Sequence, residues 1–213
     1  MLTIGFVTGT EPGKWFRRYE EFSGARVTTL PADDPFPLLA REEEPADIVL
    51  MRLPDARVGD AHHVVRLYEE ARGVAVPKDS VYAEVGEKVD PADLAGEHTN
   101  FHYQPGAEPA GATDELRGAL QVVAANVGVA MAPLPLLKAL SKKQVVPLQL
   151  RGDGEATEIA LVWFKERDGD DVQDFVGIVK GRSPRSSRSS KAPAQRQHPG
   201  RKQTLKPRNR KRR

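Results

Sequence analysis

Thr8-Gly9-Thr10 sets two hydroxyls and a glycine between an apolar run, Leu2 to Val7, and Pro12, where a helix can begin. Backbone N–H groups in the first turn of a helix lack internal acceptors and carry partial positive charge. The junction therefore suits a carboxylate or other small anion, and plain helix capping is the competing use. Arg52 ends another apolar run and offers a cation for the same anion, the competing reading being a surface pair with Glu42 or Asp55. His98 and His102 stand four apart, a metal spacing on a helix, but Glu97 to His102 reads as strand and loop with no carboxylate cluster beside it. Asp168-Gly169-Asp170-Asp171 resembles half a calcium loop, yet its twelfth position is Val179, so the start of a helix is the better reading. There is no G-x-S-x-G, no P-loop, no dinucleotide glycine fingerprint and no cysteine nucleophile. No enzyme, metal or cofactor is expected.

A second chemistry sits at the other end. Lys180 to Arg213 holds fourteen Lys/Arg and no Asp or Glu, which leaves the preceding 179 residues with eighteen basic residues against thirty acidic ones. A tail near +14 follows a body near −12, and the overall +2 conceals both. Arg, Ser, Pro, Gln and Lys cannot bury enough apolar area to offset about 1–2 kcal/mol of backbone entropy per ordered residue, so residues 181–213 are expected to be a disordered basic tail. Arg201, Lys202, Lys206, Arg208, Arg210, Lys211, Arg212 and Arg213 could neutralise phosphates of nucleic acid without reading bases, since no aromatic side chain is there to stack. A solubilising tail folded onto the acidic body is the alternative.

The elements that must position these residues follow from periodicity. Trp15, Phe16, Tyr19 and Phe22 recur at helical spacing and Gly24 ends the helix, with Thr10 as its N-cap. Ala25 to Leu30 and Ala46 to Leu53 read as strands flanking a short helix at Pro35 to Arg41. Strands separated by helices imply a mainly parallel sheet with a crevice at its carboxyl ends, where Thr8, Pro31 and Arg52 lie. Further strands are expected at 63–68, 73–76, 97–102 and 127–132, helices at 113–126 and 133–140, paired strands at 145–150 and 157–164 turning at Asp153-Gly154, and a last helix at 170–179. No cysteine, no signal segment and no long apolar stretch point to a cytoplasmic protein with no membrane contact.

In this order the segments resemble the effector-binding domain of LysR-type transcriptional regulators. Leu2-Thr3-Ile4-Gly5-Phe6 resembles that family's opening strand, and Pro45-Ala46-Asp47-Ile48-Val49-Leu50-Met51-Arg52 its aliphatic strand after Asp. Val89 to Gly96 resembles its turn with an Asp-Leu-Ala triplet, and Val122 to Pro133 its helix, small-residue turn, aliphatic strand and proline. The resemblance implies an α/β, two-lobed, type 2 periplasmic-binding-protein-like fold with two crossing strands, near 73–77 and 145–150. The domain would span residues 1–180, with lobe I at about 1–72 and 148–180 and lobe II at about 73–147.

It also implies a small organic effector held by Thr8, Gly9 and Thr10 from one lobe and by Asn100, Phe101 and His102 from the other, with Arg52 placed at the crevice to neutralise an anionic one. The family's winged helix-turn-helix would precede residue 1, so DNA reading and the linker-driven dimer are not carried over, although a homodimer is compatible. The expected function is a stand-alone LysR-like effector-binding protein in transcriptional regulation whose tail touches nucleic acid nonspecifically. The alternative is a nucleic-acid-associated protein whose cleft is vestigial.

Overall fold

A computed structural model describes residues 1–86, 88–107 and 111–181. The chain runs β1 (Leu2–Val7), α1 (Gly13–Ser23), β2 (Val27–Ala32), a 3-10 turn (Phe36–Ala40), β3 (Ile48–Leu53), β4 (His62–Glu69) and β5 (Arg72–Pro77). It continues through α2 (Val81–Val85), a 3-10 turn (Pro91–Leu94), β6 (Thr99–His102), α3 (Ala112–Ala124), β7 (Val129–Pro133) and α4 (Leu134–Leu140). It finishes with β8 (Val145–Gln149), β9 (Glu158–Phe164), a 3-10 turn (Lys165–Arg167) and α5 (Asp170–Val179).

Two sheets define two lobes. The first has the order β2-β1-β3-β9-β4 and the second β6-β7-β5-β8. The chain passes from the first sheet to the second after Glu69 and returns between Gln149 and Glu158. In the first sheet β1 runs parallel to β2 and β3, with Ile4 opposite Thr29 and Ile48, so all three strands end on the same side. That side carries Thr8, Asp33 and, at the end of β3, Arg52.

The first sheet is buried where α1 and α5 lie on it. Tyr19 and Phe175 meet edge to face at 5.8 Å between ring centres, over Ile4, Leu50, Leu161 and Trp163. The aromatic spacing of α1 thus serves core packing, with Trp15, Phe16 and Phe22 partly buried at its margin. In the second lobe α3 and α4 place Leu116, Leu120, Val123, Leu136 and Leu137 on Ala75 and Ala130.

The parallel pairing inferred from strand and helix alternation holds for β1, β2 and β3, but beyond them both sheets are mixed. β3 with β9, β9 with β4, and β5 with both β7 and β8 are antiparallel. No helix intervenes between β3 and β4, and β9 arrives from the other lobe, so neither is bound by the crossover rule that makes neighbours parallel. β8 and β9 are not a hairpin either, because they belong to different sheets and the segment with Asp153-Gly154 is a passage between lobes. β9 is buried along Ile159 to Trp163 without alternation, as a central strand covered on both faces must be. Thr10 does not cap α1. Its hydroxyl donates to the Val7 carbonyl at 2.7 Å and Pro12 holds the cap position.

Candidate functional site

The carboxyl ends of β1 and β3 face the second lobe across a cleft lined by Val7, Asp33, Arg52 and Pro54 from one side and Tyr103 and Thr113 from the other. The lobes are close together. The cavity between them is about 30 Å³, room for water rather than for an organic ligand, whose pockets span roughly 300–1,000 Å³. Part of this closeness comes from Gly9, whose φ of +95 only glycine adopts readily. A Cβ at that position would stand 2.9 Å from Arg52 Nη2 and 2.9 Å from the Leu136 backbone of the second lobe.

Arg52 is buried and committed. Its Nε donates to Glu70 Oε2 at 2.7 Å and its Nη2 to Glu70 Oε1 at 3.0 Å, while Thr157 Oγ1 donates to Glu70 Oε2 at 2.8 Å. Neither Glu42 nor Asp55 is its partner. Glu70 and Thr157 lie in the two connections between the lobes, and the Glu70 N–H also donates to the Thr157 carbonyl at 2.8 Å. One guanidinium therefore fastens both connections to the end of β3.

At the mouth of the cleft Asp33 receives the Thr8 hydroxyl at 2.6 Å, and from α3 of the second lobe Arg117 donates to both its oxygens at 2.6 and 2.9 Å. These bonds from Arg117, more than the one from Thr8, hold the Asp33 carboxyl below its ordinary range despite partial burial. Beside it, Arg57 bridges Asp34 and Asp55 with contacts of 2.6–2.9 Å and lies over the Phe36 ring at 4.6 Å.

Burial, the largest single influence on Asp55, would raise its pKa, but the Arg57 side chain and N–H together bring it below the ordinary value. A folded pKa below the unfolded one stabilises fully at pH above the unfolded value of about 3.9 and is lost as pH falls through the folded value. Asp55→Asn is therefore expected to lower stability at pH 7 by about 1–3 kcal/mol. It is also expected to flatten the acid limb of a urea-midpoint versus pH curve below about pH 4. A parallel downward displacement at all pH values would contradict this.

Behind the cleft a second cavity is lined by Glu70, Arg72, His102, Tyr103, Met131 and Thr157. Tyr103 borders both cavities, and burial pushes its phenol above its usual pKa. Of the residues expected to form the site, Thr8, Gly9, Thr10 and Arg52 are brought together at the first lobe's strand ends, and of these Arg52 alone lines a cavity described above. His102 borders the rear cavity. Asn100 and Phe101 line neither cavity: the Asn100 amide donates to the Val127 and Val129 carbonyls at 2.7 and 3.4 Å, and Phe101 packs into the second lobe's core.

Sequence reasoning missed Asp33, Glu70 and Arg117. Asp33-Asp34-Pro35, a pair of acids at a strand end, was the available signal for the first, whereas the pairings of Glu70 and Arg117 arise between segments 18 and 84 residues apart. Among the described residues no group of His, Cys, Asp and Glu is placed to hold a metal ion. The basic residues of 201–213 lie outside the described residues.

Solved structures share this arrangement. The effector binding domain of a BenM variant aligns with a TM-score of 0.63 at 16% identity, over 84% of this chain and 92% of that one. The BenM effector binding domain with its effector benzoate gives 0.62 at 16%, over 85% and 94%. Full-length CbnR complexed with its target DNA gives 0.60 at 17%, over 85% of this chain and 69% of that one. These likenesses bear on the fold and establish the two-lobed periplasmic-binding-protein-like architecture. No curated protein matches the chain. The LysR substrate binding domain family matches residues 17–184, which takes in both connections and the cleft residues other than Val7, and the chain belongs to that family.

Proposed function

We propose that this chain is an effector-binding module that holds a small organic acid between its two lobes, and that the resulting change in lobe closure alters the surface offered to a partner in transcriptional control. The observation that carries this reading is a cleft lined by Val7, Asp33 and Arg52 of one lobe and Tyr103 and Thr113 of the other, at the carboxyl ends of β1 and β3. The Thr8-Gly9-Thr10 turn lies at the same strand ends, where the Thr8 hydroxyl donates to Asp33 and the Thr10 hydroxyl to the Val7 carbonyl. No catalytic step and no cofactor enters the reading, which is compatible with a cytoplasmic setting and with a homodimer.

Benzoate is the first probe, because it is the effector named for BenM. A ligand at 100 times its dissociation constant adds about 2.7 kcal/mol, which for a chain of this size raises Tm by about 5–11 °C. No thermal shift with any member of a panel of carboxylates, amino acids and aromatic acids would remove this reading.

The concentration of fourteen basic residues after Val179 supports a second role, nonspecific contact of the tail with nucleic acid. If the eight basic residues of 201–213 each neutralise one phosphate, the logarithm of the affinity for duplex DNA should fall with that of salt at a slope of roughly −7. A chain ending at Gly181 is expected to lose that binding; equal binding by both chains would eliminate the role. Binding of nucleic acid together with no ligand in the panel would favour the alternative, a nucleic-acid-associated protein with a vestigial cleft.

A further inference from the structure

A carboxylate of the protein already stands where the acidic group of a ligand would go. Asp33 accepts from Thr8, the residue that opens the anion-suited turn, at 2.6 Å, and from both terminal nitrogens of Arg117 at 2.6 and 2.9 Å. Thr8 and Asp33 belong to the first lobe and Arg117 to the second, so this ion pair spans the cleft. Arg52, the cation that lines the cleft itself, is neutralised by Glu70 through two hydrogen bonds. Around the cleft the carboxylates Asp33, Asp34, Asp55, Glu70 and Asp114 outnumber the guanidiniums Arg52, Arg57 and Arg117. An acid added to that set finds each guanidinium already paired with a carboxylate, so one of those carboxylates must give way for the acid to reach a guanidinium.

Which carboxylate can withdraw is decided by exposure and reach. The Glu70 side chain has no exposed surface, and Asp55 is 3% exposed beneath Arg57. Asp33 and Arg117 are 37% and 40% exposed, so both can be rehydrated when they separate, whereas Asp114, 81% exposed, sits on the same helix as Arg117 and does not bridge the lobes. The cavity of about 30 Å³ is too small for an organic acid, so the lobes must part for one to enter, and this pair must break when they do.

Resting on the effector-binding reading, we propose that Asp33 is an internal stand-in for the effector's carboxylate, which displaces it from Thr8 and Arg117. Arg117 rather than Arg52 is then the residue that selects an acidic effector. Asp33 sets how strongly a ligand must bind to enter. An acid that reaches Arg117 keeps the lobes bridged, through ligand instead of through Asp33.

The test uses the full chain, which has no cysteine of its own. Cysteines introduced at Glu21 on α1 and Lys143 before β8 carry a dye pair that reports the distance between lobes. Without ligand, Asp33→Asn and Arg117→Gln are each expected to lower transfer efficiency, and the double variant to go no further than either alone. With benzoate and a panel of acids and amines, Asp33→Asn is expected to bind the preferred acid about tenfold tighter than the parent, and Arg117→Gln to lose it.

Unchanged transfer efficiency in both single variants overturns the proposal. So does an amine that binds the parent chain and is lost in Asp33→Asn. An acid held equally by the parent and by Asp33→Asn overturns the stand-in while leaving the effector reading intact. If no acid binds either chain, both fall.

Discussion

Replacing Glu70 by alanine is expected to remove about 3–5 kcal/mol of stability, lowering Tm by about 6–20 °C. The size follows from what would be left behind. Arg52, whose side chain is 7% exposed, would keep its charge with neither carboxylate oxygen to receive its Nε and Nη2 protons, and Thr157 would lose its acceptor. A buried cation without a partner costs far more than the pair contributes, because desolvation is no longer offset. The companion variant Arg52→Met with Glu70→Leu removes both charges and is expected to recover most of the loss. If the double variant is as unstable as Glu70→Ala, packing and not charge is what Glu70 supplies. The single variant should also loosen the hinge, since Glu70 and Thr157 occupy the two connections; faster amide exchange at Ala71 and Thr157 would report it.

Gly9→Ala is expected to lower affinity for a cleft ligand by at least about tenfold and to cost about 1–3 kcal/mol of stability. Two effects combine. At φ +95 an alanine is strained in any surroundings, and its methyl would press on Arg52 Nη2 and on the Leu136 backbone, each 2.9 Å away. The arginine is held by Glu70 and the backbone cannot rotate aside, so relief comes from moving the lobes apart. Gly24→Ala is the control: it shares a positive φ, +68, but its methyl would meet open space. Urea midpoints and ligand titrations of the two variants separate backbone strain from contact between lobes. Equal effects on binding would show that the close approach at Gly9 has no bearing on closure.

Much of the architecture was written in local pattern. The last helix has the expected bounds, Asp170–Val179, because its apolar spacing is unambiguous and two aspartates open it. β1 and β3 sit where apolar runs placed them, although β3 begins at Ile48 rather than Ala46. Strand direction was legible only for β1, β2 and β3. Alternating strands and helices suggested parallel neighbours, but β9 comes from the far lobe and runs antiparallel on both sides, a matter of which distant segment fills the slot. α2 went unrecognised, being one short turn capped by Ser80, whose Oγ accepts the Ala83 N–H.

The site divided along the same line. Thr8, Gly9, Thr10 and Arg52 could be named because a strand end marks itself by composition. The carboxylates that Arg52 and Arg117 meet across the molecule, Glu70 and Asp33, come from elsewhere in the chain, and no local pattern announces an ion pair formed across 84 residues.

The position of β9 has a consequence for how this protein is made. It lies between β3 and β4, strands completed by Glu69, yet it begins only at Glu158. A ribosome delivers every strand of the second sheet before β9 leaves the exit tunnel. A nascent chain stopped between Gln149 and Glu158 therefore has all four strands of one sheet and, in the other, an open slot between β3 and β4, the kind of unpaired edge on which chains associate wrongly. The inserted lobe is the part able to assemble during synthesis, and the lobe that contains the first residue is among the last to close.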